Sequence, residues 1–226
     1  MNLTNQLVIR RRRNPGRGRR RGPAADGSRD RIVAAAAREF AARGFAGASV
    51  DRIAAAARLN KAMIYYHFRS KAALYHEILG DMFHAVAVRV AAVAASALEP
   101  DEKIRQFVAA IAAEAEARPH FPPIWFREIA EGGAHVDSGI LREVAGILQK
   151  LVTIVDEGVR RGRFQPVNPM LLHAGIVGPI LLFFASQPLR TRIGRVGKLR
   201  AVSNIKAEAA IAHVQHVALG ILEGRV

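Results

Sequence analysis

The chain has no cysteine among its 226 residues, a single tryptophan and only 6% aromatic residues. The missing cysteine excludes disulfides, thiolate metal ligands and thiol nucleophiles, and suits a reducing compartment such as the cytoplasm. Acids are scarce too: 19 Asp and Glu face 34 Lys and Arg, for a net charge of +15. Long apolar runs are lacking. The longest, residues 170–185, contains His173, Gly175, Gly178 and Pro179 and falls short of the roughly 20 residues a bilayer span needs. It reads as a buried helix, so no membrane partner is expected. Residues 3–9 are too short and polar for a secretory core, and the arginine run follows them instead of preceding them. Neither a phosphate-cradling glycine loop nor a nucleophile elbow is found. The eight histidines are scattered, and the pair His213 and His216 has no neighbouring carboxylate to complete a metal set. These absences predict a protein that is not an enzyme and has neither cofactor nor metal site.

What is present is segregated charge. Residues 1–27 hold eight Arg and one acid, and residues 28–75 hold nine basic and three acidic residues, so the first third carries +13. Residues 76–186 reverse the balance, with ten basic and thirteen acidic residues. This pattern fits a polyanion-binding front end and a body that leaves nucleic acid alone. The run RRRRNPGRGRRRGP cannot bury enough apolar surface to fold by itself, so 1–27 reads as a disordered arm. Two roles are open to it: an arm that follows the duplex into a narrow minor groove, or a solvated tail. A second basic patch, Arg190, Arg192, Arg195, Lys198, Arg200 and Lys206, includes Gly194 and Gly197 and lacks apolar periodicity. An exposed, mobile loop is expected there.

The densest information lies in residues 49–71, SVDRIAAAARLNKAMIYYHFRSK. Ser49 is a good N-cap, and Val50, Ile53, Ala54 and Ala57 fall on one helical stripe. After a turn at Arg58 and Leu59, Asn60 caps a second helix. Leu59, Ile64 and Phe68 point inward there, while Lys61, Ala62, Met63, Tyr65, Tyr66 and His67 form an outer surface. Two short helices about a tight turn, the second basic and aromatic outside, make a helix-turn-helix that reads the major groove.

The run KAMIYYHFRSKAALYHEIL, with Phe40, Gly44, Phe45, Ile53 and Ala54 before it, resembles the DNA-binding domain of the TetR family of transcriptional repressors. The match spans about residues 28–80. Arg58 departs from it, since family members usually carry glycine in the turn, and a left-handed arginine is costly. The resemblance implies an all-α protein: an N-terminal three-helix DNA-binding domain over 28–75, then a helical ligand-binding and dimerisation domain of about six helices over 76–226. It further implies a homodimer on a palindromic double-stranded DNA operator, released by a small hydrophobic effector. Lys61, Ala62 and Met63 are expected at base edges. Tyr65, Tyr66, Lys71 and Ser49 are expected near phosphate, Arg52 is a further DNA-binding residue, and His67 either faces DNA or packs on the first helix. The competing reading is a non-specific architectural DNA-binding protein, which leaves the acid-leaning body without a purpose.

Helical periodicity continues to the end. Residues 28–43 form a first helix stopped by Gly44, and 71–98 form a long one ending before Pro100. A helix capped by Asp101 carries Ile104, Phe107, Val108, Ile111 and Ala115 on one face. Further helices are read over 123–131, 138–161, 168–187 and 202–222. Phe83, Phe107, Trp125, Phe126, His173 and Phe183 are the expected ligand-binding residues, with Met82, Val86, Ile111 and Phe184 as further apolar candidates. For dimerisation, Ile176, Ile180, Phe183 and Phe184 on one helix and Ala209, Ala212, His213, His216, Val217 and Gly220 on the last offer apolar and small surfaces, although an internal core explains the same residues.

Overall fold

The structure, a computed structural model, describes residues 23–199, 201 and 204–225; they hold ten helices and no strand. The all-α expectation is met. Residues 1–22 of the arginine arm lie outside the described residues, and its last residues, 23–27, belong to the first helix instead. That helix, α1 (Pro23–Gly47), is broken at Gly44, where φ is 69°. The stop falls where glycine alone bears no steric cost.

A three-helix front unit follows from periodicity. Ile32, Ala36 and Phe40 of α1 are fully buried, against Ile53, Ala54 and Ala57 of α2 (Val50–Ala57) and Ile64 and Phe68 of α3 (Lys61–Phe68). Ser70 then caps α4 (Lys71–Ala95), accepting from the Ala73 N–H at 3.0 Å. With a mean hydropathy of 1.6, α4 is apolar enough to cross a bilayer by composition. Its apolar face is instead spent on α7, α5 and α1.

The body comprises α5 (Pro100–Ala117), α6 (Phe121–Ala130), α7 (Ser138–Arg160), α8 (Pro169–Ala185), α9 (Gln187–Val196) and α10 (Ala207–Leu222). Their starts are chemically marked. Asp137 accepts from the Ile140 N–H at 2.9 Å, and Asn168 accepts from the Met170 and Leu171 N–H groups. Ahead of α5, Pro100 fills the first turn and Glu99, not Asp101, holds the cap position, with Asp101 and Glu102 beside the positive helix end. The predicted α5 face is buried throughout.

Two further expectations change. The second basic patch is no loop at its start, because Arg190, Arg192 and Arg195 lie in α9. Pro188 sits in its first turn, and Arg190 donates to the Phe183 carbonyl and to Ser186 Oγ, with its guanidinium 4.1 Å from the Phe183 ring centroid. Those anchors replace the apolar stripe that was lacking. The surfaces offered for dimerisation also divide: Ile176, Ile180 and Gly220 are buried within the protomer, whereas Ala209, Ala212, His213, His216 and Val217 are exposed.

Candidate nucleic-acid interface and body cavity

The turn between α2 and α3 sets how α3 is presented. Arg58 adopts the left-handed conformation, with φ 54° and ψ 46°. Its N–H bonds to Ala55 O at 3.1 Å, and that of Leu59 to Ala54 O at 3.0 Å, the pair of bonds that closes a helix end of this kind. Asn60 then accepts from the Met63 N–H at 3.0 Å and opens α3. Ile64 and Phe68 lock that helix onto α1 and α2, so Lys61, Ala62, Tyr65 and Tyr66 are left outside, Tyr66 with 73% of its surface exposed. Tyr65, 45% exposed, lies beside it, so two tyrosine rings stand on the side of α3 opposite its buried anchors.

Met63 and His67 are not part of that outer face. Met63 is half-buried against the core. His67 resolves toward the first helix: its Nε2 lies 2.9 Å from the buried Ser28 Oγ, a hydrogen bond from α3 to α1. Lys71, expected at phosphate, donates to the Phe45 and Ala48 carbonyls at 2.8 and 3.2 Å and lies 4.5 Å from the Phe45 ring centroid. It ties the α1–α2 turn to α4.

Other charges are held by neighbours that position them. Arg52 donates to Glu39 Oε1 at 2.6 Å and to the Gly47 carbonyl at 2.5 Å. Burial alone would raise the Glu39 carboxyl, but the Arg52 hydrogen bond and the Ser49 N–H outweigh it and hold it below the usual range. Ser49 occupies the N-cap as expected, yet its hydroxyl makes no capping bond; it stays available beside the first α2 amides, which lack intrahelical acceptors. Lys61 reaches Asp51 at 3.0 Å, and that hydrogen bond raises the pKa of its ammonium. Any further acceptor for that ammonium must compete with Asp51. Arg69 ends α3, exposed and with φ 60°.

The body contains a cavity of about 40 Å³, lined by Phe83 and Val86 of α4, Ile111 of α5, Phe121 and Trp125 of α6, Val144 and Ile147 of α7, and His173, Val177 and Leu181 of α8. Phe83, Trp125 and His173 are thus brought together as expected. Phe107 is instead fully buried core, Phe126 packs beside that core, and Phe183 is engaged with Phe184 and Arg190. Burial lowers the pKa of His173 and favours its neutral imidazole, a donor and acceptor in an otherwise apolar wall. The cavity has room for a few waters, against the several hundred Å³ of a site shaped to a small molecule.

Residues 32–78 match the family model of bacterial regulatory proteins, tetR family. The HTH-type transcriptional repressor NicS of Pseudomonas putida is 30% identical over 162 residues, 71% of this chain and 76% of that protein. The HTH-type transcriptional repressor SCO4008 of Streptomyces coelicolor is 42% identical over 65 residues, 29% of this chain and 34% of its own. Among solved structures, a bacterial regulatory protein in the tetR family from Rhodococcus RHA1 aligns at a TM-score of 0.70 and 18% identity, over 86% of this chain and 96% of its own.

Proposed function

The chain belongs to the tetR family of bacterial regulatory proteins, and from that premise we propose that it is a repressor whose dimer grips a palindromic operator and lets go when a small hydrophobic molecule enters the body. The observation that carries the reading is the exposed face of α3, Lys61, Ala62, Tyr65 and Tyr66, held by two buried anchors beside the start of α2. Lys61 donates to a guanine edge, Ala62 meets a thymine methyl group, and Tyr65, Tyr66 and Ser49 reach phosphates. Residues 28–75 act as the DNA-binding domain and 76–226 as the effector and dimerisation domain. An α3 of only eight residues reads too few base pairs alone, so two copies related by a two-fold axis share the site. The effector enters at Trp125 and His173 and widens the small cavity there. It shifts the dimer only through unequal affinity for the two shapes.

The test is a fluorescence-anisotropy titration of palindromic and sequence-random duplexes at two salt concentrations. Wild type is expected to prefer the palindrome. Lys61→Ala loses about 1–3 kcal/mol of that preference, confined to one base-pair position, while Tyr66→Ala weakens both duplexes alike. Equal loss on both duplexes for Lys61→Ala removes its base-reading role, and no preference in the wild type favours the architectural reading.

A further inference from the structure

Where α6 ends, the chain doubles back. Gly132 and Gly133 have φ of 70° and 75°, the Gly133 N–H bonds to the Glu128 carbonyl at 2.7 Å, and that of Val136 to the Gly133 carbonyl at 3.0 Å. Glycine adopts two consecutive positive-φ conformations without the steric cost that a β-carbon adds. The reversal lays His135 over the last turn of α6, where its ring meets Phe45 of the front unit at 4.3 Å. His135 Nδ1 then lies 3.1 Å from Glu128 Oε1 and 3.4 Å from Glu131 Oε2.

We propose that Glu128, Glu131 and His135 form a binding site for a divalent transition-metal cation of the zinc class at the junction of front unit and body. One donor atom from each lies within 4.8 Å of the other two. A metal about 2.1 Å from each ligand in tetrahedral geometry sets its ligands about 3.4 Å apart, so the two spacings given above already lie near that edge. One imidazole nitrogen and two carboxylate oxygens are the donor set such a cation takes. Glu128 is only 1% exposed, and among the described residues no lysine or arginine pairs with it. Its other partners are neutral donors, the Tyr75 hydroxyl at 2.6 Å and the His135 N–H at 3.2 Å. A second carboxylate, Glu131, converges on the same nitrogen. One Nδ1–H serves one oxygen well, whereas a cation between the three atoms serves them all. The Tyr75 bond orients Glu128 as an outer-shell partner orients a ligand. Bound metal would fix residues 128–135 against Phe45.

The probe is Co²⁺ alone, added to the full chain. Its visible absorption reports geometry, and quenching of Trp125, the sole tryptophan and one turn before Glu128, reports location. One equivalent is expected to bind per chain, displaced by Zn²⁺. Saturating Zn²⁺ at a hundredfold excess over its Kd should raise Tm by about 5–10 °C. Glu131→Gln, at an exposed position, and His135→Gln should each weaken Co²⁺ binding by at least about 30-fold, and His213→Gln/His216→Gln should leave it unchanged. No Co²⁺ binding at about 1 mM, wild-type affinity in both the Glu131 and His135 variants, or loss only in the His213/His216 variant would overturn the site. No DNA enters the measurement, so its failure is separate from failure of the regulatory reading.

Discussion

Arg58 holds a left-handed conformation that costs a residue with a β-carbon about 1–2 kcal/mol. Its bonds to the end of α2 are made by backbone, so the side chain contributes nothing to the turn itself. Glycine would keep those bonds and remove the strain, at the expense of extra freedom in the unfolded chain. Arg58→Gly is therefore expected to stabilise the protein by about 0.5–1 kcal/mol, measured as a higher urea midpoint at unchanged slope. A lower midpoint would mean that the guanidinium makes a stabilising contact of its own. The position stood out through the resemblance to the TetR family, whose members usually carry glycine in that turn, where a left-handed arginine is costly. Lys71 was less legible: its acceptors belong to residues 45 and 48, and no periodicity relates α4 to a turn more than twenty residues earlier.

At the scale of helices, α5 and α7 are joined by a nearly buried ion pair, Lys103 Nζ to Glu157 Oε2 at 2.7 Å. The Lys103 hydrogen bond holds the Glu157 carboxyl below its usual range. A carboxyl depressed in the fold contributes stability above its unfolded pKa of about 4.3 and loses it as pH falls through the lower folded value. Urea stability should thus be level near pH 6 and decline as the medium is acidified below about pH 4.5. Glu157→Gln should cost about 3 kcal/mol at pH 7, because it strands the Lys103 ammonium, only 4% exposed, and should flatten that acid slope. An unchanged slope would assign the acid loss to other carboxylates. Neither partner stood out in the sequence, since a lysine within an apolar stripe looks like an error of register until its partner 54 residues later is placed beside it. Helix existence was legible from spacing and caps, as with the α5 stripe and the Asn60 cap of α3. The α9 segment was not, because Arg190 holds its start to the end of α8 through bonds that leave no apolar periodicity to read. The cavity likewise draws Val144, Ile147, Val177 and Leu181 from stripes indistinguishable from ordinary core.

For the whole molecule, the question is what covers the outer faces of α8 and α10. On α8, Leu171 is 72% exposed and Leu182 58% exposed, with Gly175 between them. On α10, Ala209, Ala212, His213, His216 and Val217 are exposed along one side, with Val214 and Ala218 turned inward. Leucines this open beside small residues permit close helix approach, and in the dimer proposed above two such helix pairs would face each other across a two-fold axis as a four-helix bundle. In this arrangement Val217 lies near the seam, so Val217→Glu places a charge against its own copy and against apolar neighbours. The variant should turn a dimer into a monomer by analytical ultracentrifugation, with its helical circular dichroism intact. Operator affinity should then fall at least about tenfold, since one half-site must be held without the other. Persistence of the dimer would move the interface off α10, and a monomer that keeps full operator affinity would show that a single α3 suffices.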